Sequence, residues 1–219
     1  MKIIGLALFC SIFSIIQLAQ GQLVTYGEFK NASIWSGFPT PSMKKYTYFE
    51  SNLNQTLIMS KEEAAMALAQ FLYESDGLRA KREYACEVDN CAGQYTTPWC
   101  DIDGEHYYGR GYIQLTWCYN YLAASRDLYG ADWLIWDPDV VGRDDSVAWD
   151  TAFWFWRVNV HFQPGVQEGM FGASTRAING ANECTGEFNA VAQKRFRIYS
   201  TVRKAFGLEG EGDERGCYN

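Results

Sequence analysis

The feature that most constrains this chain is its set of seven cysteines and the place where one of them lies. Cys10 sits inside an apolar run, Ile3 to Leu18, preceded by Met1 and Lys2 and followed by Ala19-Gln20-Gly21. A short basic start, an apolar stretch and small residues at the −3 and −1 positions of a cleavage site are the pattern of a secretory signal peptide. The run is at the short end for a membrane span and lacks a basic stop-transfer flank, which disfavours an anchor. The expected division is therefore a signal peptide over 1–21 and one domain over 22–219. Cleavage removes Cys10 and leaves an even six: Cys86, Cys91, Cys100, Cys118, Cys184 and Cys217. An even count in an oxidising compartment points to three disulfides, whose connectivity spacing alone leaves open.

Zinc is the competing use for Cys86, Cys91 and Cys100. Their spacings contain no C-x-x-C pair, and the only histidines are His106 and His161, so no metal is expected. The formal charge is −7, and one unit more negative once Lys2 is removed, which excludes a phosphate-binding surface and with it nucleic acid as a partner. With 47% hydrophobic and 21% charged residues, the chain has the material for a substantial core. No second stretch is long and apolar enough to cross a bilayer, so no membrane association is expected after cleavage. The sequons Asn31-Ala32-Ser33 and Asn54-Gln55-Thr56 fit a secreted, extracellular chain.

Repeats, low-complexity blocks and linkers are absent from the sequence, in keeping with one domain. From Tyr26 to Leu57, aromatics alternate with turn residues, and short helices and loops are expected. Ser60 and Glu63 read as a capping box that opens a helix with an apolar face of Ala65, Leu68, Ala69 and Leu72, ending near Gly77. Period-two alternation in Tyr112-Ile113-Gln114-Leu115-Thr116 predicts a small antiparallel hairpin turning near Gly109-Arg110-Gly111, with Gln114 and Thr116 sharing the face away from the core. A second helix opens at Asp144-Asp145-Ser146 and carries the core stripe Trp149, Ala152, Phe153 and Trp156. A shorter helix ends at Asn179-Gly180. The last, about Phe188 to Phe206, aligns Phe188, Val191, Arg195, Tyr199, Val202 and Phe206, so Arg195 faces inward and demands an acidic partner. The Gly/Glu/Asp-rich tail after Gly207 is expected to be mobile up to Cys217.

Two well-separated histidines and no G-x-S-x-G elbow give no support to a serine hydrolase. Gly109-Arg110-Gly111 lacks the rest of a dinucleotide fingerprint, and no cofactor is expected. Carboxylates remain. Glu74 follows Phe71-Leu72-Tyr73 at the end of an apolar helix, where burial raises a carboxyl pKa and keeps it protonated. Glu83 follows among Lys81, Arg82 and Tyr84, a polar setting suited to an ionised base. Two carboxyls in opposite environments are what glycoside hydrolysis needs: one protonates the leaving oxygen, the other activates water.

Five segments in order carry a more specific message: Ala69-Gln70-Phe71-Leu72-Tyr73-Glu74-Ser75, Tyr108 to Thr116, Asn120-Tyr121, Ala152-Phe153-Trp154-Phe155-Trp156 and Ile178-Asn179-Gly180. Together they resemble glycoside hydrolase family 19, the plant-type chitinases, over roughly Tyr26 to Phe206. The resemblance implies a mainly α, lysozyme-like α+β fold: a helical domain with a small antiparallel sheet lining a cleft. It implies Glu74 as catalytic acid, Glu83 as general base at the spacing of short-loop members, and Thr116 as the hydroxyl that holds the attacking water. Gln114, Asn120 and Asn179 then match amides that bind N-acetylglucosamine units, with Tyr119 close by. Glu183 and Arg195 match a charged pair linked to the acid, and Cys184 and Cys217 match a C-terminal disulfide. Tyr73 departs from the family, which usually carries His there, so altered packing around Glu74 is expected.

The implied function is that of a secreted, monomeric endochitinase acting on β-1,4-linked N-acetylglucosamine polymers with inversion. Its partners would be chitin or chitooligosaccharides. With no Cys-rich chitin-binding segment at either end, soluble oligomers are the expected substrates ahead of crystalline chitin. The rivals are a lysozyme-like hydrolase of peptidoglycan, whose glycan shares N-acetyl sugars, and a chitin-binding protein without catalysis. Retention of both Glu74 and Glu83 disfavours the latter, since a pure binder needs no matched acid and base.

Overall fold

Helix α3, Lys61–Glu74, is hidden all round: every residue from Ala64 to Leu72 is fully buried. A helix apolar on all sides must be enclosed by other elements, and here it becomes the axis of the fold. In the computed structural model, which describes residues 22–186 and 189–218, α3 follows α1, Tyr26–Trp35, and α2, Met43–Gln55. Short helices α4 (Cys118–Tyr129), α5 (Trp133–Trp136) and α6 (Val140–Arg143) lead to α7, Asp145–Phe155, which runs into a π-helical turn, Trp156–Val160. Helices α8, Phe171–Glu183, and α9, Ala190–Ala205, complete the order. The signal peptide expected over 1–21 and the core position expected for Phe188 lie outside the described residues. No helix among the described residues is long and apolar enough to cross a membrane.

The core forms where α3 meets α7. Phe71 packs edge-on against Trp149, Phe153 and Trp156, with ring centroids 5.9, 5.3 and 6.1 Å away. Those three side chains, with Ala152, are the stripe that helical spacing placed inward, and all are buried. Asp144 caps α7 by accepting from the Ser146 and Val147 amides. The fold is mainly helical, with the lysozyme-like architecture that the motifs implied.

Several local expectations are revised. Ser60 caps α3 by accepting from the Glu63 amide at 3.1 Å, but Glu63 does not return the bond. Its carboxylate is drawn into the core instead, where Oε1 lies 2.6 Å from His161 Nδ1 and accepts from Trp156 Nε1 at 2.9 Å. The reciprocal capping box belongs to α1, between Thr25 and Glu28. The antiparallel pairing around 109–116 is reduced to the isolated bridges Arg82–Arg110 and Arg110–Leu115. The reason is that Gly111 (φ +73°) and Gln114 (φ +55°) both take left-handed backbone, so the chain reverses between them rather than at Gly109–Gly111. Ile113 and Leu115 still point inward, and Gln114 and Thr116 remain part-exposed.

Helix α8 continues past Gly180 to Glu183, with a break at Asn179 (φ −144°, ψ 35°). On α9, Val191 turns out to solvent and Ala192 takes its place on the buried face with Arg195, Ile198, Tyr199 and Val202. The tail beyond Gly207 is not free. Asp213 bridges Met170, Arg203 Nη2 donates to the Glu209 carbonyl at 2.8 Å, and Cys184–Cys217 closes the strap. Glycine serves close approach here, since a Cβ on Gly172 would lie 2.4 Å from the Glu214 carbonyl oxygen. The other disulfides are Cys86–Cys91 and Cys100–Cys118, so the three thiols of the zinc alternative are taken up in covalent pairs.

Candidate active site

One cleft of about 750 Å³ opens between the end of α3, the segments 80–85 and 109–120, and the broken part of α8. Glu74, Glu83, Gln114, Thr116, Tyr119, Asn120 and Asn179 all line it. Glu183 and Arg195 do not; they stand behind it, 3% and 1% exposed.

Arg195 organises the buried side. Its Nε and Nη2 donate to the two Glu183 oxygens, both at 2.7 Å, a bidentate pairing that a planar guanidinium makes and an ammonium cannot. Nη2 also reaches Glu74 Oε1 at 2.5 Å, and Nη1 donates to Gln70 Oε1 at 2.9 Å. Gln70 is fixed in turn, donating to the Ser174 and Thr175 hydroxyls at 2.9 and 3.0 Å. Asn179 donates to Glu183 Oε1 at 2.7 Å and accepts from Asn182 at 2.8 Å, so the helix break ties the cleft to the ion pair. The Tyr73 ring lies under the Arg195 guanidinium, 4.0 Å from centroid to carbon, a cation–π contact beside Glu74.

The protonation of Glu74 follows from this arrangement. Burial pushes its carboxyl above the usual range; the Arg195 charge and hydrogen bond pull the other way without cancelling it, and the Glu183 charge adds to the rise. Burial also opposes the Arg195 charge, but Glu74 and Glu183 outweigh it and hold the guanidinium protonated.

Glu83 lines the same cleft in a different setting. Its backbone amide donates to the Gly109 carbonyl at 2.9 Å, and its Oε2 accepts from the Gly109 amide at 3.2 Å. Oε1 accepts from the Tyr95 hydroxyl at 2.9 Å. Both oxygens thus act as acceptors, the pattern of an ionised carboxylate. A Cβ at Gly109 would fall 2.9 Å from Gln114 Oε1 and 3.3 Å from Glu83 Oε2, so a larger residue there would press on both side chains. Arg110 holds the segment from beneath, stacked 3.6 Å from the Tyr108 ring centroid and paired with Asp139 at 2.8 Å.

On the cleft floor, Thr116 donates to the Gln114 carbonyl at 2.8 Å and Asn120 donates to the Thr116 carbonyl at 2.8 Å. Gln114 Nε2 donates to the Gly111 carbonyl at 3.1 Å. Trp117 and Tyr119 lie parallel, 6.2 Å apart, and are partly exposed, a surface on which a sugar ring can stack. Sequence reasoning missed Gln70, Tyr95 and Trp117. Gln70 had a signal, as a polar residue four positions before Glu74 within a buried apolar helix. The other two had none, since both depend on left-handed backbone at non-glycine residues.

The sequence profile of the chitinase class I family of glycoside hydrolases, family 19, matches residues 23–174. The chain belongs to this family. An endochitinase from Arabidopsis thaliana, At2g43620, is 42% identical over 153 residues, covering 68% of this chain and 50% of the relative. The chain thus spans about half the length of the curated relatives it matches. Among solved structures, chitinase C from Streptomyces griseus superposes with a TM-score of 0.69 at 29% identity, over 91% of this chain and 82% of its own. A family 19, class IV chitinase from Zea mays gives 0.66 at 25% identity, over 85% and 94%.

The buried network makes this family 19 chain sensitive at one point. Arg195→Met removes the cation and leaves Glu183 buried without its charge partner, which costs about 3–5 kcal/mol. Urea denaturation followed by tryptophan fluorescence should show that loss. A midpoint equal to wild type would mean that the network carries no net stability.

Proposed function

We propose that the chain is a secreted, monomeric endochitinase that cleaves β-1,4-linked N-acetylglucosamine polymers with inversion. In this reading residues 1–21 are removed on export and 22–219 form the single catalytic domain. The observation that carries the proposal is the placement of Glu74 and Glu83 in one cleft with opposed environments, one carboxyl desolvated and the other held by two donors.

Glu74 is the general acid. It gives its proton to the glycosidic oxygen as the bond from C1 to that oxygen breaks, and positive charge develops at C1. A water between Glu83 and the sugar attacks C1 from the opposite face, and Glu83 takes one of its protons. At the end Glu74 is ionised and Glu83 protonated, and exchange with solvent restores both. Thr116 supports the water: its hydrogen is committed to the Gln114 carbonyl, which leaves its oxygen to accept from water. Gln114, Asn120 and Asn179 bind the N-acetyl sugars, and Trp117 and Tyr119 give the rings an apolar face. Arg195 keeps the carboxylate left on Glu74 paired after each turnover.

Two measurements test this reading. Glu74→Gln keeps the shape of the side chain while removing the proton, so kcat on chitohexaose should fall about 10²-fold or more with oligosaccharide binding retained. Near-normal turnover in the folded variant would remove Glu74 from the mechanism. With the wild-type protein, proton NMR during chitohexaose cleavage should show the α-anomer first. Initial β-anomer would overturn inversion and the role of Glu83, and cleavage of bacterial cell walls in place of chitohexaose would reassign the substrate to peptidoglycan.

A further inference from the structure

We infer that Tyr95 is a positioning residue for Glu83, coupling the base to the aromatic surface on which the sugar rests. The inference rests on the reading of Glu83 as general base. Tyr95 touches both parts. Its hydroxyl donates to Glu83 Oε1 at 2.9 Å, and its ring stands edge-on to Trp117, 5.4 Å between centroids and 84° between planes. Trp117 in turn lies parallel to Tyr119.

The backbone is bent to make this contact. Tyr95 has φ +53° and Trp117 φ +74°, left-handed values that cost a bulky residue energy and persist only where the surroundings enforce them. For Tyr95 the surroundings are the small cluster of Cys86, Cys91 and Tyr108, against which its ring packs. The Cys86–Cys91 disulfide fixes that cluster, and its sulfurs lie within 4.8 Å of a Glu83 oxygen. The Tyr95 hydroxyl thus reaches Glu83 from a support that the disulfide holds in place.

The other charged or titratable groups around Glu83 are engaged elsewhere or stand off. Glu74 lines the same cleft and is bound to Arg195. Arg82 is held by the Tyr108 hydroxyl and by Asp139, and Tyr84 donates to Asp76 at 3.1 Å. Tyr119 stacks on Trp117. Among the described residues, Tyr95 is the titratable side chain that hydrogen-bonds to Glu83. Burial, then the bond and charge of Glu83, push the Tyr95 phenol up to about 12, so it stays a donor across the working pH range.

The test compares Tyr95→Phe with Tyr95→Ala, using chitohexaose hydrolysis against pH. Tyr95→Phe keeps the ring on Trp117 and removes only the hydroxyl. Its kcat should fall about tenfold, since a hydrogen bond to a charged group is worth at least that much, and the acid limb of its profile should move to higher pH, because a carboxylate that loses a donor is protonated more readily, with KM little changed. Tyr95→Ala should add a rise in KM, which Tyr95→Phe restores. Independently of turnover, the ¹³C carboxyl signal of Glu83, assigned with Glu83→Gln, should titrate at higher pH in Tyr95→Phe than in wild type. A wild-type protein that cleaves no chitooligosaccharide counts against the proposed function and leaves the carboxyl titration as the reading of this inference. An unchanged Glu83 titration, or an acid limb and kcat equal to wild type, overturns it.

Discussion

A guanidinium almost without solvent contact stands at the centre of this protein. Arg195 comes from α9, and its partners come from the two helices that frame the cleft: Glu74 and Gln70 from α3, Glu183 from α8. Three separate helices are thus fixed relative to one another by one planar cation. An unpaired charge in that position would be untenable, so the buried Glu183 carboxylate is a condition for α9 to pack where it does. The same contact decides chemistry. Glu183 occupies two N–H groups of Arg195, and Glu74 shares what remains, which leaves desolvation as the larger influence on Glu74.

The walls of the cleft are built by different means. On the buried side the network runs through helices, and its geometry is stiff because each member is bonded on to the next, as Gln70 is to Ser174 and Thr175. On the open side, no regular strand carries Glu83, Gln114, Thr116 or Trp117 among the described residues. Precision there comes from left-handed turns, two isolated bridges, the stacked Arg110 and the disulfides Cys86–Cys91 and Cys100–Cys118. These replace the ladder of hydrogen bonds that a true sheet would supply.

Sequence patterning disclosed the elements held by burial. The α7 stripe of Trp149, Ala152, Phe153 and Trp156 and the inward turn of Arg195 follow from helical spacing, because one face of each helix must leave water. The five ordered motifs pointed to the cleft residues as well. What patterning could not disclose depends on competition between partners. Glu63 has the spacing of a capping box, yet a buried histidine and tryptophan offer its carboxylate better company than the helix end does. The alternation at 112–116 reads as a strand, yet φ > 0 at Gln114 turns it back. The acidic, glycine-rich tail reads as mobile, because composition does not register the close backbone approach at Gly172 that straps it down.

The balance at Glu74 can be measured directly by following its ¹³C carboxyl signal through a pH titration of the wild-type protein, with Glu74→Gln supplying the assignment. If desolvation outweighs Arg195, the midpoint lies clearly above the ~4.3 of a free glutamate, and the carboxyl carries the proton that a general acid must hold. A midpoint at or below that value would show that the guanidinium governs Glu74 as it governs Glu183, leaving the cleft without its acid.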